Sequence, residues 1–192
     1  MRIAKATKSP EKAAKSIAGL EIKRAPELIS GIAPDGSFEG YASLFGLVDM
    51  GQDLVMPGAF AASLLKRGPQ GVKMLWQHKA AEPVGTWQSI AEDQRGLKVA
   101  GRLNLAVARA REILALMREG ALDGLSIGFK TQLAATDKTT GIRSLQKLDL
   151  WEISIVTFPM LPQARVSAVK RATLPPQTSL AKTIRQTASL FR

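Results

Sequence analysis

Val84-Gly85-Thr86-Trp87-Gln88-Ser89-Ile90-Ala91 and Gly96-Leu97-Lys98-Val99-Ala100-Gly101-Arg102-Leu103, separated by Glu92-Asp93-Gln94-Arg95, decide the fold class of this chain. Each is a short apolar stretch suited to a pleated, half-buried surface, and the polar segment between them is punctuation. The same pattern extends outward in both directions. Phe38 to Phe45, Val72 to His78, Ser126 to Leu133, Arg143 to Thr157 with a break, and Ala164 to Val169 read as further strands set apart by Gly, Pro and Asp. Helices are fewer. Gly58 to Arg67 reads as a short one, with Phe60, Leu64 and Leu65 on one side. Ala106 to Glu119 reads as a longer one, with Ala106, Ala110, Ile113 and Met117 as its apolar stripe, Arg109, Arg111, Glu112 and Arg118 left to water, and Gly120 as its stop. The expected fold is α+β and mostly β, a barrel or sandwich without internal repeats.

The 192 residues suffice for one domain that buries about 70 % of the surface its unfolded chain exposes. Hydrophobic residues at 45% and charged residues at 22% sit near globular averages, so neither disorder nor a membrane protein is indicated. No apolar run approaches the roughly 20 residues of a membrane helix. The Lys-rich start lacks the apolar stretch of a secretory signal, and a cytoplasmic setting is expected. Without cysteine there are no disulfides, thiolate metal sites or cysteine nucleophiles, and a single histidine argues against histidine-based metal sites. No metal or cofactor is expected. The net charge of +11 suggests nucleic acid until it is located along the chain. Residues 1–24 hold seven Lys/Arg against two Glu, residues 165–192 hold six Lys/Arg and no acid, and residues 25–164 hold 14 of each sign. A neutral core excludes a basic groove across the domain. The expected layout is a mobile basic segment at 1–24, a domain at 25–170 and a second mobile basic segment at 171–192, with specific nucleic-acid binding not expected.

Three side chains could carry chemistry. Gly124-Leu125-Ser126-Ile127-Gly128 fits a pattern in which glycines let the backbone crowd a reactive serine and bring amides, here near Ile127 and Gly128, toward an oxyanion. The serine follows a helix, opens a strand and lies downstream of the histidine, the reverse of an α/β-hydrolase; the bland alternative is a turn residue between glycines. His78 closes Val72-Lys73-Met74-Leu75-Trp76-Gln77-His78, where alternation puts Val72, Met74, Trp76 and His78 on the core-facing side. An imidazole there can take a hydroxyl proton near neutral pH, or merely hydrogen-bond its neighbours. A Ser-Lys dyad would be the other route, and no lysine is singled out by its surroundings. Glu152 lies in the apolar strand Trp151-Glu152-Ile153-Ser154-Ile155-Val156, on the face opposite Trp151, Ile153 and Ile155. It either reaches solvent or accepts a hydrogen bond from the imidazole. Asp53, in Gly51-Gln52-Asp53-Leu54, reads as a turn or cap residue.

The chain resembles the tailed-phage prohead proteases, a family similar in fold and chemistry to the herpesvirus assemblins. The resemblance runs in order through Gly40-Tyr41-Ala42-Ser43-Leu44-Phe45, Met56-Pro57-Gly58-Ala59-Phe60, Leu75-Trp76-Gln77-His78, Gly124-Leu125-Ser126-Ile127-Gly128-Phe129, Glu152-Ile153-Ser154-Ile155-Val156-Thr157-Phe158-Pro159 and Ala164-Arg165-Val166, about residues 38–170. It implies an assemblin-like closed β-barrel ringed by a few helices. It also implies a serine endopeptidase that trims the major capsid protein, the scaffold and itself inside the assembling prohead, in the host cytoplasm, without a cofactor. Carried over, His78 is the base, Ser126 the nucleophile and Glu152 the orienting acid, with Arg165 an oxyanion helper by analogy with assemblin arginines. Assemblins place a second histidine in the third role; this chain has only one, so the acidic version fits. The resemblance further implies self-association into a homo-oligomer. Two other classes stay open: a catalytically silent, scaffold-like assembly protein of the same fold, and a nucleic-acid binder acting through its basic ends.

Overall fold

The computed structural model describes residues 32–167. The basic segments at 1–24 and 171–192, and the last two residues of the strand expected at Ala164 to Val169, lie outside them. Eight strands and two helices follow in the order β1 (Ser37–Leu44), β2 (Asp53–Val55), α1 (Ala61–Gly71), β3 (Lys73–Trp76), β4 (Lys79–Glu92), β5 (Gly96–Leu103), α2 (Ala108–Arg118), β6 (Gly124–Thr136), β7 (Arg143–Val156) and β8 (Val166–Ser167). The mostly β character expected from the alternation is present.

All eight strands join one curled sheet, a half-barrel in which β7 is the hub. On one side β7 pairs antiparallel with β6 from Gly124↔Val156 to Thr136↔Arg143. On the other it pairs in parallel with β2 through its first residues and with β3 through Glu152 to Ile155. Antiparallel pairing then runs β3-β4-β5-β1-β8. Between the start of β6 and the segment entering β8 stand one bridge, Gly124↔Arg165, and backbone hydrogen bonds from Leu125 N to Ala164 O (2.9 Å) and Val166 N to Asp123 O (2.8 Å). The concave face is the core. Trp87 meets Phe38 edge to face at 5.7 Å, and Met74, Leu97, Val99, Leu103, Leu125, Leu145, Leu148 and Ile153 complete the packing.

Four local expectations are corrected. Leu65 does not join the buried side of α1 but is 91% exposed. The helix starts later, with Glu92 from β4 accepting the Gly58 and Phe60 amides at 2.9 and 2.7 Å, and it turns buried Ser63 inward, where the hydroxyl accepts the Leu150 N–H at 2.9 Å. Gly68 (φ 64) then breaks the helix ahead of Pro69. At the start of α2, Ala106 is exposed because its amide bonds the Asn104 side chain at 3.1 Å in the preceding turn; Ala110, Ile113, Leu114 and Met117 form the buried stripe, and Gly120 (φ 72) ends it. Trp151 does not face the core. Gly128 pairs with Glu152 and Phe129 with Leu150, so Trp151 is the extra residue of a β-bulge, lying against Arg67 and Lys130 at 4.4 and 4.6 Å. Asp53 is no turn cap but a strand residue, its carboxylate gripped by Arg143 Nε and Nη2 at 2.6 Å each. No helix among the described residues is long and apolar enough to cross a membrane.

Candidate active site

The histidine is placed by a turn, not by a strand. β3 ends at Trp76, Trp76 pairs with Lys79, and the two residues between them, Gln77 (φ 49) and His78 (φ 59), are both left-handed. That is the backbone of a two-residue hairpin of the primed type, normally built with Asn or Gly. Left-handed residues with side chains cost about 1–3 kcal/mol each and persist where surrounding structure over-determines them. Here β7 and the residue after it do so: Gln77 N donates to Ile155 O (3.1 Å), His78 N donates to Ser154 Oγ (3.0 Å), and Gln77 Nε2 donates to Thr157 Oγ1 (2.8 Å). The expected alternation that sent His78 toward the core with Met74 therefore fails, because the strand stops two residues earlier. Its side chain is 44% exposed.

The turn delivers the imidazole to Glu152. His78 Nδ1 stands 2.6 Å from Glu152 Oε1, and the glutamate side chain is only 13% exposed. Glu152 thus turns toward the histidine rather than out to solvent. An ionised carboxylate only accepts, so in the neutral imidazole this contact places the proton on Nδ1 and leaves the Nε2 lone pair free. The hydrogen bond to Glu152 holds the His78 pKa above its ordinary 6.5, against the opposing effect of partial burial. The other Glu152 oxygen, Oε2, accepts from Ser154 Oγ at 2.7 Å.

Ser126 is a buried residue of β6 rather than a turn residue, 6% exposed and directly opposite Ser154. Directly opposed residues of an antiparallel pair share a face. Ser126, Ser154, Gly128 and Glu152 therefore lie on one side of the sheet, with Leu125, Ile127, Ile153 and Ile155 on the other. The hydrogen-bonded chain joins His78, Glu152 and Ser154; Ser126 stands beside it without entering it.

The glycines around Ser126 have packing reasons. A Cβ on Gly128 would run into the Glu152 carboxylate, and one on Gly124 would meet Val156 O at 2.5 Å and the Pro159 ring at 2.8 Å. Leu125 N donates away from β7, to Ala164 O, so alternation turns the Gly128 N–H toward β7 and the Ile127 N–H out of the open side of β6. Arg165 is brought to the start of β6, where its guanidinium pairs with Asp123 and donates to Pro162 O at 2.7 Å, not with Ser126. A cavity of about 230 Å³ beside Ser126 is bordered by Leu44, Leu47, Ile127, Phe129 and Met160.

A model of the family described as caudovirus prohead serine protease matches residues 25–177. The prohead protease of Enterobacteria phage HK97 is 40% identical over 147 residues, covering 73% of this chain and 63% of that protein. The prohead protease of Escherichia phage T5 is 30% identical over 86 residues, covering 45% of this chain and 40% of that protein. The chain thus spans less than two thirds of the length of these relatives. Among solved structures, the bacteriophage T4 capsid assembly protease superposes with a TM-score of 0.49 at 13% identity, over 64% of this chain and 82% of that one. A KSHV protease in complex with a hexapeptide phosphonate inhibitor gives 0.48 at 12% identity, over 81% and 77%.

Proposed function

The chain belongs to the caudovirus prohead serine protease family, and from that premise we propose that it is a serine endopeptidase processing capsid and scaffold proteins, and itself, during prohead maturation. The observation that carries the proposal is the 2.6 Å contact between His78 Nδ1 and Glu152, made by a turn that β7 holds in place on the strand adjoining Ser126. In this reading Ser126 Oγ bonds to the scissile carbonyl carbon while its proton passes to His78 Nε2. The proton moves on to the departing amine as the C–N bond breaks. Water, deprotonated by the same ring, then releases the acyl group and restores the serine. Glu152 fixes the tautomer and stabilises the imidazolium. The outward-facing Ile127 amide supplies a donor for the oxyanion.

The enzyme is proposed to work as a homo-oligomer inside the assembling shell in the host cytoplasm. The bridge between Gly124 and Arg165 is read as the last seam of an assemblin-like barrel.

Co-expression with a capsid protein, followed by intact mass of both chains, tests the proposal with wild type and Ser126→Ala. Losing the nucleophile of such a site costs about 10⁶ in rate, so cleavage should vanish. Cleavage unchanged by the substitution would remove Ser126 as the nucleophile, and cleavage absent from wild type under assembly conditions would assign a catalytically silent assembly protein instead.

A further inference from the structure

We infer that Ser154 is a positioning residue of this site, fixing both the turn that carries His78 and the rotamer of Glu152 that meets it; the inference rests on the proposed assignment of those two residues. Ser154 is completely buried, on the central strand, directly across from Ser126. Its hydroxyl has a single proton. Because Oγ accepts the His78 N–H at 3.0 Å, that proton is free to be donated, and it goes to Glu152 Oε2 at 2.7 Å. One carboxylate oxygen is thereby occupied from below and the other, Oε1, is left facing Nδ1 at 2.6 Å. Three atoms of the site, the His78 amide and both Glu152 oxygens, are set by one side chain.

Among the described residues no other side chain bonds both the turn and the Glu152 carboxylate. Gly128 across the ladder leaves the Glu152 carboxylate room but offers no side chain to hold it. Of the two nearest lysines, Lys73 on β3 is the register partner of Glu152 with no ion pair to it, and Lys79, next to His78, has its ammonium 3.0 Å from Glu82. Glu152 is the one charge that raises the His78 titration. Whatever loosens Glu152 must therefore appear in the ring.

The chain has a single histidine, so its ring resonances titrate in proton NMR without assignment, and no activity is required. Full-length protein carrying Ser126→Ala avoids self-cleavage. In that background Glu152→Gln should bring the His78 midpoint down toward 6.5, and Ser154→Ala should bring it down by part of the same shift. In the Glu152→Gln background, adding Ser154→Ala should move the midpoint no further, because the serine acts on the ring through the glutamate. With Ser126 restored, Ser154→Ala should lower kcat about 10- to 100-fold, the loss of one hydrogen bond to a charged group, with KM little changed. A wild-type midpoint in Ser154→Ala beside a shifted one in Glu152→Gln would overturn the positioning role and leave the protease reading standing. A Ser154→Ala shift that persists in full without the glutamate would also overturn it, since the serine would then act only on the turn. If Glu152→Gln itself moves nothing, the histidine–glutamate contact and the function proposed from it fall first.

Discussion

Two turns of this molecule are built on opposite plans. The one joining β6 to β7 is made by its own residues: Asp137 Oδ1 accepts the Thr139 and Thr140 amides at 2.7 and 3.2 Å, Asp137 N donates to Ile142 O at 2.9 Å, and Gly141 takes the left-handed position (φ 75). The one joining β3 to β4 puts Gln77 and His78 in left-handed conformations that neither favours, and is held by hydrogen bonds to residues of β7 and Thr157. A turn that obeys local rules needs nothing from the fold, whereas a turn that violates them is a request for tertiary support. The violation falls where the imidazole has to be aimed.

The largest test of this contrast is Glu152→Gln. It should leave the distal turn untouched and lower turnover by about 10⁴, the scale seen when the orienting acid of a serine protease is made an amide, measured on the same capsid substrate as wild type. Turnover within a few-fold of wild type would remove Glu152 from the site. Next, Gly141→Ala should destabilise the protein by about 1–2 kcal/mol, the cost of placing an L side chain in the left-handed region. Nothing lies within 4 Å of the added methyl, so the cost is purely conformational. Chemical denaturation should show it with unchanged turnover; an equal fall in turnover would mean the two ends of β7 are coupled.

The smallest effect is a difference in pH dependence. The folded His78 pKa is raised, so the stability from its bond to Glu152 is complete below about 6.5 and is lost as pH rises through the raised folded value. The folded Asp137 pKa is lowered from 3.8, first of all by the Thr139 amide, so its contribution is present above that value and is lost as pH falls through the depressed one. Melting temperatures of Glu152→Gln and Asp137→Ala should therefore converge on wild type at opposite ends of the pH range. A Glu152→Gln deficit that is the same at pH 6 and pH 9 would show that the contact carries no ionic component.

The strand layout was legible because alternation and punctuation are local signals, as was Ser126 at the opening of a strand. Five things were not. The His78 orientation depended on where β3 stops, which the register with β4 and β7 decides rather than the composition of 72–78. Leu65 looked like a core residue because helical spacing does not reveal which face a sheet will cover; the sheet took Ser63, whose hydroxyl was needed by the Leu150 amide. Ser154 carries no motif, yet a signal existed: it lies two residues from Glu152 in a strand, hence on the same face, and a polar pair on one face of an apolar strand calls for a common partner. The Trp151 bulge and the Asp53–Arg143 pair lay beyond reach because each depends on residues tens of positions away.

That separation has a kinetic consequence. The bonds uniting His78 with Glu152 and Ser154 span 74 and 76 residues of chain, and those contacts are reached through parallel pairing of β3 with β7, the slow kind of closure. A chain growing from its N-terminus has made both Ser126 and His78 before it has made the strand that aims the histidine. During that interval the nascent polypeptide holds a serine and an imidazole with nothing to align them. For the proposed triad, the order of synthesis would itself impose latency on the unfinished chain.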